Sequence, residues 1–120
     1  MADSFTTTGV ILLQPGSATV PYTFTFAAAS SATANDGSIP FESTISSAVV
    51  KAFDAGGTDR TSEMVVGTTP VTGGLVVTVS LKYPATSGAG RYSLEFLLTL
   101  STGAVLEFDY TRILARDLTA

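Results

Sequence analysis

The stretch Gly90 to Ile113, GRYSLEFLLTLSTGAVLEFDYTRI, constrains this chain more than any other. Tyr92, Leu94, Phe96, Leu98 and Leu100 recur at period two, as do Leu106, Phe108 and Tyr110, so each limb reads as a strand with one apolar face. The turn decides how the limbs meet. With Ser101, Thr102 and Gly103 as the loop and the glycine in the left-handed conformation, Leu98 faces Leu106, Phe96 faces Phe108 and Leu94 faces Tyr110. A tighter loop at Thr102-Gly103 would set Leu98 against Glu107 and place a carboxylate on the apolar face, at a cost of several kcal/mol. The first register is therefore the expected one. It specifies a core and no chemistry.

The same alternation recurs upstream. Val20, Tyr22, Phe24 and Phe26 share one side of a strand, on which Pro21 cannot donate to a ladder and so marks a free edge. Leu75, Val77, Val79, Leu81 and Tyr83 form the cleanest half-buried strand. Gly9 to Leu13 closed by Pro15-Gly16, Thr44 to Phe53 with mixed periodicity, and Met64 to Val66 supply further strands, and no segment keeps a helical period. Ala27 to Pro40 is the longest loop, a candidate contact segment. Short strands separated by turn signals predict an all-β fold, a single antiparallel β-sandwich of about seven to eight strands, with a jelly roll as the alternative. The expected organisation is an extended arm over residues 1–8, a sandwich over 9–114 and a tail over 115–120.

Histidine and cysteine are absent, which removes the commonest general base, the thiol nucleophile and the usual transition-metal ligands together. No enzyme activity and no cofactor are expected. Glu95 and Asp109 fall opposite each other on the outer face of the hairpin, an arrangement that serves acid/base chemistry only where an apolar setting separates the two carboxyls. A solvated pair relieved by Arg91 or Arg112 is the plainer reading. Asp54, Asp59 and Glu63 offer oxygens for calcium without the spacing of a calcium loop. Tyr22, Tyr83 and Tyr110 would line a sugar platform, but each sits on an apolar period and reads as core.

Charged residues are only 13% of the chain, about half the usual share, and net charge is -4 with no basic run. Nucleic acid and anionic membrane surfaces are therefore not expected partners. The first residues, MADSFTTTG, carry no basic region and lead into an apolar run too short for a secretion signal. An outside covered by Ser, Thr, Gly and Ala fits two readings equally: a small β-protein whose Thr-rich outer strands satisfy β-propensity without charge, or a surface packed against other copies or a partner. The candidate interface residues are Phe5 in the arm and Val76, Glu95, Leu97 and Thr99 on outward strand positions.

Ala48 to Met64 (AVVKAFDAGGTDRTSEM), Leu75 to Leu81 and Gly90 to Phe96 resemble the small immunoglobulin-like β-sandwich proteins encoded among the structural genes of tailed bacteriophages. Tyr92 stands where such folds place a tyrosine at the start of the penultimate strand. The resemblance covers roughly Thr44 to Leu114. It implies a non-enzymatic virion protein, made in the host cytoplasm and present in many copies or as a homo-oligomer. Within that group it implies first a capsid decoration or cement protein on the major capsid protein, and alternatively a neck, head-tail, tail or fibre component. A carbohydrate-binding module is the alternative from another class, with the Ala27 to Pro40 loop and surface tyrosines as its site.

Overall fold

The computed structural model describes residues 11–15, 19–34 and 36–116. They form β1 (Ile11–Leu13), β2 (Val20–Thr25), β3 (Ile45–Asp54), the helical turn α1 (Thr61–Met64), β4 (Val71–Thr72), β5 (Val76–Leu81), β6 (Gly90–Leu100) and β7 (Val105–Ala115). One sheet has the order β1-β7-β6-β3 and the other β2-β5-β4, and the two pack face to face as a β-sandwich.

The β6–β7 hairpin has the register its apolar pattern dictates: Leu94 opposite Tyr110, Phe96 opposite Phe108, Leu98 opposite Leu106. Leu100 and Ala104 close the loop, with the Leu100 N–H donating to the Ala104 carbonyl at 2.8 Å, and Gly103 has φ of 92°. Any side chain there would meet the left-handed penalty of about 1–2 kcal/mol.

With β2 to β7 standing for strands B to G, the sheets read B-E-D and C-F-G, the immunoglobulin order. A jelly roll would need eight strands in two Greek keys. One pairing departs from a purely antiparallel sandwich: β1 runs parallel to β7, Ile11 beside Ile113 and Leu13 beside Ala115. The switch follows from connectivity, because β1 lies on the sheet opposite to β2 and has to meet the far edge of β7 in the direction in which the chain enters. Ala115, expected in the tail, is fully buried within β7.

The core lies between the sheets. Phe24 of β2 and Phe26 just beyond it come from one sheet, and Phe96, Phe108 and Tyr110 from the other. Phe24 meets Phe96 at 4.8 Å between ring centroids and Tyr110 at 5.2 Å, edge on. Phe26 meets Phe96 at 5.7 Å and Phe108 at 5.4 Å. These rings occupy the space between sheets that a disulfide and a tryptophan fill in antibody domains.

Two local expectations change in this part of the chain. Met64 does not open a strand; it closes α1 and is fully buried. The Asp59 carboxylate accepts from the Thr61 N–H at 2.8 Å, a local side-chain-to-backbone turn that leads the chain into α1 in place of a strand. Val65 and Val66 keep sheet character, through a bridge to Leu81 and a bond from the Val66 N–H to the Ser80 carbonyl. The presumed loop Gly67 to Gly74 contains β4, too short for any period to register.

The Ala27 to Pro40 segment is a braced connection. Ala28 bridges Ile39 in parallel, the Ala29 N–H donates to the Ile39 carbonyl at 2.8 Å, and the Ile39 N–H donates to the Ala27 carbonyl at 3.1 Å. Ser30 gives both its N–H and its hydroxyl to Asp36, at 3.0 and 2.6 Å. Pro21 does lie on an edge strand, since β2 ends its sheet.

Candidate functional site

The outer face of the four-stranded sheet carries the features a partner would meet. Alternation on β6 turns Glu95, Leu97 and Thr99 outward, all half-buried by their cross-strand neighbours. β3 and β7 run on either side. Val49 and Glu107 flank Leu97, Lys51 and Asp109 flank Glu95, and Ser47 and Val105 flank Thr99. Val49 is 54% exposed and Val105 60% exposed, so with Leu97 they form a small apolar patch at the end of the face nearer the hairpin turn.

The expected interface residues separate on this geometry. Glu95, Leu97 and Thr99 come together on one strand. Val76 faces outward from β5, on the opposite side of the sandwich, and shares no surface with them. Phe5 lies outside the described residues. Val49 and Val105 were missed. Val49 sits in the run Ala48-Val49-Val50, where apolar residues on consecutive positions hide which of them points out, and Val105 follows the hairpin turn directly.

Below the patch the face is acidic. Glu95 lies opposite Asp109 and diagonal to Glu107. A side-chain hydrogen bond to Glu107, some burial and the nearby negative charges of Glu107 and Asp109 raise the Glu95 carboxyl above its ordinary value. Relief comes from Lys51, directly across on β3, rather than from Arg91 or Arg112. A raised carboxyl binds its proton more tightly folded than unfolded, so ionised Glu95 opposes folding at neutral pH, and this opposition fades as pH falls through the raised value. Glu95→Gln is therefore expected to raise the melting temperature at neutral pH and to leave it unchanged well below 4.5, the ordinary glutamate value. Thermal melts across that range check it; an equal gain in acid would mean that shape, not charge, sets the effect.

The candidate calcium oxygens are already spent on protein donors. Asp54 accepts from the Gly56 and Thr58 N–H groups at 2.9 Å and from Arg60 Nε at 3.0 Å. Glu63 accepts from the Ser87 N–H at 2.9 Å, from the Ser87 hydroxyl, and from Arg60 at 3.4 Å. The Arg60 guanidinium thus stands between the two carboxylates, where a cation would stand. Bonds from Thr58 to Asp54, Thr61 to Asp59 and Ser87 to Glu63 hold these carboxyls below their ordinary values. Among the described residues no group of three or more acidic side chains is arranged to hold a metal ion.

This network ties α1 to the 84–90 loop, which the Tyr92 hydroxyl pins further by donating to the Gly88 carbonyl at 2.7 Å, the tyrosine corner of immunoglobulin-type sandwiches. The other tyrosines do not form a platform. Tyr110 is buried against Phe24, and Tyr22 and Tyr83 pack against the core. No helix among the described residues is long and apolar enough to cross a membrane.

Compared with family models, with curated proteins and with solved structures, the chain matches none of them.

Proposed function

We propose that this chain is a non-enzymatic structural protein of a tailed-bacteriophage virion, foremost a decoration or cement protein that binds the outer surface of the head and stabilises contacts between capsomers. The observation that carries the reading is the outer face of the four-stranded sheet, where Val49, Leu97 and Val105 leave an apolar patch on a domain with very few charges. Such a face gains by being covered, at about 25 cal/mol for each Å² of apolar surface removed from water. Repetition over a shell multiplies modest contacts into firm retention. The strand and turn likeness to phage structural sandwiches adds to this reading, with the major capsid protein as the partner and neck or tail positions as the competing placements.

The test is co-sedimentation of the full chain with heads of the phage that encodes it. Replacing Val49 and Leu97 together by serine removes the apolar patch without adding charge at outward strand positions. Binding is expected to weaken tenfold or more, equivalent to about 1.4 kcal/mol, with the folding midpoint nearly unchanged. Unaltered binding by the double variant would remove this face from the assembly, and absence of the chain from purified particles would remove the virion role.

A further inference from the structure

The free edge of β3 holds backbone groups that no described residue satisfies. β3 ends its sheet, with β6 on one side only. Alternate residues of a strand aim their N–H and C=O to the same side. Ala52 and Asp54 aim away from β6. The Ala52 N–H donates to Thr61 Oγ1 at 2.9 Å, the Ala52 carbonyl accepts from the Arg60 N–H at 2.7 Å, and the Asp54 N–H donates to the Thr58 carbonyl at 3.0 Å. Toward the other end, the Ala48 carbonyl accepts from the Thr69 hydroxyl at 2.8 Å. Val50 lies between them in the same phase. Its N–H and C=O, and the Ala48 N–H, therefore point off the sheet, and among the described residues none of the three has a partner. Val50 is only 5% exposed, so its groups are poorly hydrated as well as unpaired. Unpaired buried backbone groups are costly and rare.

They open into a groove of about 580 Å3 between Ser46–Val50 and the wall formed by Thr61, Val65 and residues 67–71. No residue lining it is charged. Thr58 to Thr61 close one end, so the open stretch is short.

We infer that this groove receives an extended strand from the N-terminal arm of a neighbouring copy, the segment Ser4 to Thr8, added to β3 by backbone hydrogen bonds. Ser-Phe-Thr-Thr-Thr is uncharged, as the groove is, and its Phe and Thr residues favour an extended chain. The ten residues before Ile11 span at most roughly 33–36 Å when extended, well over the five residues of open edge. β1 sits at the far edge of the sheet, three strand spacings or roughly 14 Å from β3, so a segment supplied through β1 of the same chain would have to cross β7 and β6 to reach the groove, whereas one from a neighbouring copy would not. This inference deepens the assembly role and rests on it only for the presence of neighbouring copies.

The chain has no cysteine, which allows a direct test with full-length protein. Chains carrying Thr6→Cys or Thr7→Cys are mixed with chains carrying Val49→Cys, oxidised mildly and run on a non-reducing gel, with Lys82→Cys on the opposite sheet as the control for chance encounter. The expected result is a disulfide-linked heterodimer at least tenfold above that control, lost when the arm also carries Phe5→Asp. Cross-linking no greater than the control overturns the inference. So does a Thr6→Cys/Val49→Cys double variant that closes only within single chains, which would show the arm docking on its own domain. Cross-linking without binding to phage heads would retain the arm exchange and reject the virion role; the reverse would do the opposite.

Discussion

Phe24→Ala is expected to lower the unfolding free energy by about 3–5 kcal/mol, the usual range for deleting a fully buried phenyl ring. Phe24 is fully buried and touches Phe96 and Tyr110 of the opposite sheet. Two effects combine: loss of the buried apolar area, and loss of two edge-on ring contacts worth about 0.5–1.5 kcal/mol each. No disulfide joins the sheets to compensate. A domain of this size is stable by about 5–15 kcal/mol, so the variant should stand near the edge of folding. Urea unfolding at constant slope measures the change. Phe24→Leu, which keeps most of the volume, should retain a clearly higher midpoint. A loss below about 1 kcal/mol for the alanine variant would mean that the sheets are held chiefly by other contacts.

The hairpin to which Phe24 packs was readable because every constraint on it is local. The two limbs alternate without interruption, and Gly103 leaves one loop compatible with an apolar face. β3 was not readable in the same way. A register shift between Ile45 and Ser47 breaks the alternation, and Val49 points outward while Val50 and Ala52 point in, so the apolar residues follow no single period. Its place beside β6 depends on a pairing across some fifty residues, which propensity does not encode. The candidate site was half legible for that reason. Glu95, Leu97 and Thr99 follow from the hairpin, whereas Val49 joins them only through β3. Leu97 as an outward apolar residue was in the sequence; the flank that Val49 gives it was in the topology. The groove depends still more on topology, because it exists only where β3 ends one sheet and the segment leading into β4 hangs beside it.

Gly37→Ala is expected to be the most damaging single-methyl change in the described loops. A Cβ at Gly37 would stand 2.5 Å from the Ala29 nitrogen, 2.6 Å from the Ala28 carbonyl carbon and 2.7 Å from the Ala27 oxygen. All three are backbone atoms, so no side chain can swing aside, and the two arms of the segment must part. Parting them strains or breaks the bonds between Ala27, Ala29 and Ile39, and loosens Ile39, which is 1% exposed and belongs to the core. Overpacking of this kind costs about 1–3 kcal/mol and sometimes more. Gly56→Ala is the matched control, since its Cβ would meet only an Asp54 carboxylate oxygen at 3.4 Å. Denaturation midpoints of the two variants should differ clearly, and amide exchange at Ala29 and Ile39 should accelerate in Gly37→Ala alone. Equal midpoints and unchanged exchange would mean that the segment is loosely held and available as a contact loop. The expected loss would make it part of the domain's framework rather than a contact loop, leaving the outer sheet face and the β3 groove as the surfaces of the proposed assembly.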